Sequence, residues 1–353
     1  MYLVQPAYAI VIPVLNEKES LDKVLRVING APVYVVDDGS EDGTMEIVAG
    51  YVNAKLIERG KKMGLVSAYL DGIREAIKED YDYFVVMDGD GQHDPMLADE
   101  LVLTAKKTGA DLVIGSRYVD GGGTIEGFSE FRKTVSKVAN YLFMLSFDAG
   151  VRDATSGYRV YSRRAAHYLL EHKLSNNGYA GQVEIVEELN RAGMKIVEHR
   201  INLKRRTHGN SKLGIGEVMN YFLFVLTRGN LWKYALIGLS GIFVNEAALY
   251  LLAGYISPLI ADIIAIEVSI LSNFLLNESW TFRGRRISRG ASSVFRRLYV
   301  HNAAAAAAIV VNFAVFALLE LTGVNLLIAN LIGIIVAFSL RYLLSSRVVW
   351  VNE

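Results

Sequence analysis

Apolar residues are distributed along this chain in two different ways. Up to about residue 215, short β-branched runs alternate with charged stretches whose apolar positions recur at helical spacing. From about 234 to 350 the sequence is nearly continuously apolar, cut by one basic loop. In the first region AIVIPVL, VYVVDDG, KLIERG, YFVVMDGD and DLVIGSR predict strands. ESLDKVLRVING, TMEIVAGYV, VSAYLDGIREAIKED and MLADELVLTAKKTG predict the helices between them. Such alternation implies an α/β fold with a Rossmann-like, mostly parallel sheet covered on both faces.

The second region holds four stretches long enough to cross a bilayer, which takes roughly 20 residues: about 234–256, 259–282, 299–321 and 325–346. An all-α four-helix membrane domain follows, the alternative being a buried bundle in a soluble protein. A mean hydropathy of +0.26 favours the membrane. The loop FRGRRISRGASSVFRR carries Arg283, Arg285, Arg286, Arg289, Arg296 and Arg297 and no acid, whereas the other two loops carry no Lys or Arg. The positive-inside rule then places the basic loop and both termini in the cytoplasm. NFLLNESWTF from Asn273 resembles RYLLSSRVVW from Arg341, an offset of 68, and NEAALYLL from Asn245 resembles NFAVFALL from Asn312, an offset of 67. Two helix hairpins in parallel repeat are expected. Asn245, Glu246, Glu267, Asn273, Asn277, Glu278 and Asn312 fall inside the spans, where they serve either helix–helix hydrogen bonding or function.

Charge and composition remove several alternatives. Lys+Arg and Asp+Glu both number 37, so nothing in the overall charge points to nucleic acid. Cysteine is absent, which excludes disulfides, thiolate metal sites and a Cys nucleophile. The first apolar stretch contains Pro13 and runs into Asn16 and Glu17, unlike a signal peptide. Neither GxGxxG after the first strand nor GxxxxGK[ST] is present, against a dinucleotide site or a P-loop.

Ligands of open parallel sheets bind beyond the carboxyl ends of the strands. Here those ends hold Asn16 and Glu17, Asp37 and Asp38, Asp88 and Asp90, and Ser116 and Arg117. In MDGDGQHDP, two carboxylates at i and i+2 face one side of an extended segment. Gly89 and Gly91 let a ligand come close. Asp88, Asp90 and the amide oxygen of Gln92 are hard donors suited to Mg²⁺ or Mn²⁺, ions that usually share a substrate diphosphate. His93, just before Asp94-Pro95, reads as a turn residue.

VIPVLNE, VVDDGSEDGT, RGKKMGLVSAYLDG, VMDGDGQHDP, IGSRY and TSGYR stand in the order and spacing of the family 2 glycosyltransferases, which this chain resembles. Within that family it is similar to the dolichol-phosphate mannose synthases and their polyprenyl-phosphate glucosyltransferase relatives. THGNSKLG resembles their Gly-x-Ser-Lys-Leu-Gly segment, and NFLLNESWTFR resembles the GtrA-like membrane domain. It departs from that pattern at Asn277-Glu278, where an Asn-Arg pair is usual. The Gln-x-x-Arg-Trp motif of processive synthases is absent, so a polymerase is excluded.

The resemblance implies a GT-A-type catalytic domain at 1–214, an interfacial helix or linker at 215–232 and a GtrA-like domain at 233–353. It implies inverting, metal-dependent transfer of one sugar to polyprenyl or dolichyl phosphate, with mannose from GDP-mannose preferred. The alternatives are a UDP-glucose donor, or a lipid-linked sugar flippase. It places the nucleotide-sugar at Pro13, Asn16, Glu17, Asp37 or Asp38, Lys62, Gly64, Asp88, Gly89 and Lys212. Lys61 and Lys62 are either base-side contacts or solvated charges.

The acceptor phosphate is already anionic near neutral pH. Its site therefore needs cations rather than a base. Arg117, Arg132, Arg200, Lys204, Arg205, Arg206 and Lys212 form the pool, with Arg117 ranked first for its place at a strand end. Arg132 and Ser136 share one face of the predicted helix SEFRKTVSKVANYLFMLSF, whose other face is apolar. That helix either lies in the bilayer interface or packs on the sheet. GEVMNYFLFVLTRGNLWK is a second interfacial candidate. Gln182 resembles a residue near the family's active site, and Glu184 is assigned no proton transfer.

Overall fold

A computed structural model describes residues 8–119, 123–147, 149–206, 214–283, 285, 288 and 290–351. The chain divides into two compact units, Met1–Val225 and Leu226–Glu353. The first contains strands β1 (Tyr8–Val14), β2 (Val33–Asp37), β3 (Ala54–Glu58), β4 (Tyr83–Val86), β5 (Leu112–Ser116), β6 (Arg159–Ser162) and β7 (Ile196–Arg200). Between them run α1 (Lys18–Val27), α2 (Thr44–Val48), α3 (Leu65–Ala76), α4 (Ala98–Thr108), α5 (Glu130–Ser146), α6 (Arg163–Glu171) and α7 (Tyr179–Arg191), with α8 (Ile215–Arg228) after β7.

The strands form one sheet in the order β3-β2-β1-β4-β6-β5-β7. β6 is antiparallel to both neighbours, and every other pairing is parallel. Period-two alternation decides which residues meet which helices. Val11, Val36, Phe84, Val86 and Ile114 pack in one core with α3, α6 and α7. Ile10, Ile12, Val35, Val85 and Val113 pack in the other with α1 and α4.

Register sets the working edge. Val14 stands beside Asp37, Asp37 beside Glu58, and Ser116 beside Arg200, so the parallel strands finish level. Because β6 runs the other way, its first residue, Arg159, pairs with Val86 and Ile114 at that same edge. The loop before β6 thereby joins the strand ends.

β6, β7, α6 and α7 are additions to the elements expected from sequence. β6 has four residues, too few to show a period, and β7 carries Glu198, His199 and Arg200 on a half-buried outer strand. In TMEIVAGYV only Thr44–Val48 is helical, because Gly50 and Tyr51 already form the turn into β3.

The second unit contains α9 (Leu231–Ala253), α10 (Pro258–Leu276), α11 (Ala291–Leu321) and α12 (Leu326–Leu344). All four are long and apolar enough to cross a membrane, with mean hydropathy of 1.7 to 2.2 over their best windows. α9 pairs with α10 and α11 with α12. Both second helices run on into a π-helical turn, at Asn277–Thr281 and Ser345–Val349, equivalent places under the 68-residue offset. α11 starts at Ala291, earlier than the expected 299, and its first turns hold Arg296 and Arg297.

Candidate active site

At the level edge of the sheet lies a cavity of about 310 Å³. Pro13, Glu17, Asp38, Lys62, Gly64, Asp88, Gly89, Asp90, Gln92, Arg117, Arg132, Ser136 and Arg206 all line it. Asn16 and Asp37 do not. Asn16 has a left-handed φ of 52° and receives the Glu41 N–H on Oδ1, which makes it a turn residue between the β1 and β2 loops. Lys212 lies outside the described residues.

The two acids after β2 have separate work. Asp38 accepts from Arg59 Nη1 (2.8 Å), Met63 N (2.8 Å) and Gly64 N (3.0 Å), so both its oxygens are occupied. Asp37 Oδ2 accepts from Gly39 N and Ser40 N, while its buried Oδ1 has no partner among the described residues. Gly64 has a φ of +107°, and a Cβ there would meet the Asn177 carbonyl oxygen at 2.6 Å, so no other residue fits this turn. Gly89 is different. Its φ is ordinary, and a Cβ would press on Val14 Cγ1 at 2.8 Å. Packing against β1, rather than backbone freedom, demands the small residue there.

Glu17, Asp88 and Asp90 form the acidic end of the cavity. Asp90 accepts the Gln92 N–H (3.0 Å) and both Nε (3.0 Å) and Nη2 (2.5 Å) of Arg206, which also lies 3.8 Å from Glu17. Dehydration holds the Asp88 carboxyl above its ordinary range. Asp90 and Glu17 push it the same way, against His93 and Arg206. His93 is buried and stacks on Tyr158 at 5.0 Å. Its Nδ1 accepts the Asp88 N–H at 3.1 Å, so it braces the acidic turn from behind and is more than a turn residue. Gly157 and Gln182 close in from the β6 side, where a Cβ on Gly157 would sit 3.2 Å from Asp88 Oδ2.

Among the described residues no three or more His, Asp or Glu side chains are grouped to hold an ion by themselves. The chain instead offers two carboxylates, and Gln92, whose Nε2 is engaged by the Lys204 carbonyl at 3.2 Å. That set fits a Mg²⁺ or Mn²⁺ ion that keeps waters and shares a diphosphate. The Arg206 guanidinium seated on Asp90 shows that the spot attracts a cation.

The opposite end is basic and apolar. Arg117 follows β5 as expected and lines the cavity, but one edge of its guanidinium is engaged. Asp153, fully buried, accepts its Nε (2.7 Å) and Nη2 (2.6 Å), and Thr155 Oγ1 takes a further bond from Nη2. The ion pair gives Arg117, ranked first among the phosphate ligands from sequence, a structural partner as well. Sequence reasoning passed over Asp153, although it stands in DATSGYR directly before a quoted motif. Arg132, by contrast, has no carboxylate within ion-pair reach among the described residues. Its guanidinium lies 3.9 Å from the Phe128 ring centroid, and dehydration followed by Arg206 and Arg117 makes it easier to deprotonate than an ordinary arginine. Ser136, one turn on, accepts from Tyr118 Oη at 2.8 Å. Phe128, Val135, Val218 and Phe222 supply an apolar wall.

The remaining cations are placed elsewhere. Lys204 pairs with Asp94 at 2.8 Å, Arg205 lies along Gly127, and Arg200 ends β7. Glu184 accepts from Ser175 N, Asn176 N and Asn176 Nδ2, which ties down the loop before α7. α5 packs through Phe143 and Ala139 into the core of the first unit, the sheet-packing alternative for that helix.

Residues 9–170 match Glycosyl transferase family 2, and residues 233–350 match GtrA/DPMS, transmembrane domain. A dolichol-phosphate mannosyltransferase of Pyrococcus furiosus is 36% identical over 97% of this chain and 99% of its own length. A polyprenol monophosphomannose synthase of Mycolicibacterium smegmatis is 35% identical over 58% of this chain and 80% of its own. Among solved structures, the mannosyltransferase PcManGT from Pyrobaculum calidifontis, in complex with GDP-Man and Mn²⁺, aligns over 97% of this chain and 87% of that one. Its identity is 14% and its TM-score 0.39, too low a likeness to argue from. The level strand ends, the acidic turn after β4 and the four apolar helices agree with the two domain matches: the chain belongs to the family 2 glycosyltransferases with a GtrA/DPMS membrane domain, and is an integral membrane enzyme.

Proposed function

We propose that this enzyme transfers one mannosyl group from GDP-mannose to a polyprenyl phosphate such as dolichyl phosphate. The observation that carries the reading is the polarity of the cavity. Carboxylates line one end, an arginine with no carboxylate partner among the described residues stands at the other, and an apolar wall lies beside it. The first end suits a diphosphate donor held with a divalent ion, and the second a lipid phosphate. The 36% identity to a dolichol-phosphate mannosyltransferase over nearly the whole chain supports the same pair of substrates. Within this reading residues 1–214 are the catalytic domain, 215–232 an interfacial helix or linker, and 233–353 the membrane domain.

Asp88, Asp90 and Gln92 would hold Mg²⁺ or Mn²⁺, which when bound neutralises charge on the diphosphate leaving group. Pro13, Glu17, Lys62, Gly64 and Gly89 would border the donor. Asp37 or Asp38 would be the base-side acceptor, Asp38 lining the cavity and Asp37 lying behind it with an open acceptor oxygen among the described residues. Arg132 and Ser136 would hold the acceptor phosphate in line with the anomeric carbon. A phosphate oxygen then bonds to that carbon as the bond to the diphosphate breaks, and GDP leaves with the electron pair. One displacement inverts the anomeric centre. The attacking oxygen carries no proton at neutral pH, so no protein base is required. A panel of nucleotide-sugars assayed with dolichyl phosphate tests the reading directly. A clear preference for a donor other than GDP-mannose would overturn the sugar assignment.

Activity is expected to fall on the acid side as the lipid phosphate takes its second proton near pH ~6. Glu184→Gln should leave that limb in place, since Glu184 braces a loop. Loss of the limb together with most of kcat, at unchanged acceptor affinity, would mean that a carboxylate base operates.

The catalytic domain, both termini and the basic loop are assigned to the cytoplasmic side by charge asymmetry. The chain has no native thiol, so single cysteines report topology cleanly. A cysteine replacing Ser292 should be labelled from the cytoplasmic side, and one replacing Thr322 from the other. The reverse pattern would invert the topology.

A further inference from the structure

The second unit holds a cation that nothing in the transfer reaction uses. Arg341 stands near the end of α12, and His301 faces it from α11, with Arg341 Nη2 3.5 Å from His301 Nε2. His301 is fully buried, and its Nδ1 has no partner among the described residues. Arg341 Nε is likewise buried and unpartnered, although the residue as a whole keeps an exposed part. The His301 ring lies 5.4 Å from Trp350 and 5.8 Å from Phe274, so aromatic surface walls the pair.

The obvious counter-ion is taken. Glu278, at the π-helical turn after α10, accepts Arg297 Nη2 (2.5 Å) on Oε1, and Arg297 Nε (3.2 Å) and Trp350 Nε1 (2.6 Å) on Oε2. Among the described residues Arg341 has no carboxylate within ion-pair reach. An intramembrane charge left in this state is costly unless an anion compensates it. Depth indicates where the anion comes from. His301 follows Arg297 by one turn, roughly 6 Å further along the helix, and Arg296 and Arg297 mark the basic, headgroup-level end of α11. A lipid phosphate reaches this level from the side. A guanidinium edge, Nε with Nη2, can donate to two of its oxygens.

We propose that Arg341 and His301 form a second anion site, within the membrane domain, for the phosphate headgroup of a membrane lipid. The inference does not rest on the proposed reaction. It stands on an arginine that no carboxylate among the described residues compensates, beside a buried, half-satisfied histidine, in a chain that spans the bilayer.

The test uses the full chain in nanodiscs of neutral phosphatidylcholine. Adding phosphatidic acid as a minor component should raise the melting temperature, because a ligand of the folded state stabilises it. Arg341→Gln should remove that gain and weaken phosphatidic acid binding by roughly 10- to 100-fold, while Arg341→Lys retains part of it. Polyprenyl phosphate should be retained in native mass spectrometry as two copies per wild-type chain, and as one in either Arg341→Gln or Arg132→Ala. Inorganic phosphate at matched concentration should protect little. Equal protection by it would overturn the lipid assignment. A wild-type chain that melts alike with and without phosphatidic acid overturns the site without any variant. So does a folded Arg341→Gln protein with unchanged lipid stoichiometry.

Discussion

Asp90→Asn is expected to lower sugar transfer by about 10³-fold while leaving the fold and membrane insertion unchanged. The replacement keeps the size of the side chain and can keep the bond from Gln92 N, so the turn after β4 survives. What it removes is charge at the acidic end of the cavity, where Arg206 already shows a cation's preference for the Asp90 oxygen. Electrostatic groups aimed at developing charge typically contribute 10²- to 10³-fold each. An ion-binding carboxylate belongs at the upper end. The loss should not yield to excess Mg²⁺ or Mn²⁺, and circular dichroism of the purified protein should match wild type. Near-wild-type turnover of Asp90→Asn under those conditions would remove Asp90 from the site.

The parts of this site that could be read from sequence share one property: they are local. Asp88 and Asp90 are two residues apart in the turn that ends β4, and Arg132 and Ser136 are one turn apart on a helix, so short spacing alone keeps each pair together. The strands β1 to β5 are legible for the same reason, each being a short run with its own period or β-branched content, though β3 is only half-buried. What escaped is long-range. Asp153 claims Arg117 from 36 residues away, and nothing in IGSRY announces it. β6 comes into the sheet between β4 and β5, which carries TSGYR to the strand ends, and a four-residue strand has no readable period. The division of labour between Asp37 and Asp38 depends on Arg59, 21 residues on from Asp38. In the membrane half, hydropathy locates the helices, but charge pairing across α10, α11 and α12 decides that Arg297 is satisfied while Arg341 is not.

The two arginines of the basic end should fail in different ways. Arg132→Ala is expected to raise the KM for polyprenyl phosphate by roughly 10- to 100-fold, because a charge-assisted contact to phosphate is worth about 1.5–3 kcal/mol. Donor binding and melting temperature should hold, since no carboxylate within ion-pair reach among the described residues depends on Arg132 for its counter-charge. Arg117→Ala should instead lose stability, by about 3–5 kcal/mol, the cost of leaving a buried partner charge uncompensated. Asp153 is fully buried, and without Arg117 its remaining contacts are neutral donors such as Asn140 Nδ2 and the backbone N–H of residue 117.

The pH dependence supplies an independent sign. In the wild type, burial works to raise the Asp153 carboxyl, but Arg117 and the hydrogen bonds to it prevail and hold it below its ordinary range. That pair therefore stabilises the fold above the unfolded carboxylate pKa of about 4, and the contribution fades as pH falls through the lowered value. Without Arg117, burial dominates and the carboxyl rises above its unfolded value. The penalty is then full at neutral pH and eases on acidification. Melting temperature followed from neutral pH downward should thus fall less steeply in Arg117→Ala than in wild type, or rise. If Arg117→Ala instead melted like wild type at every pH and lost only acceptor affinity, the Asp153 pairing would be incidental and Arg117, not Arg132, would be the phosphate ligand.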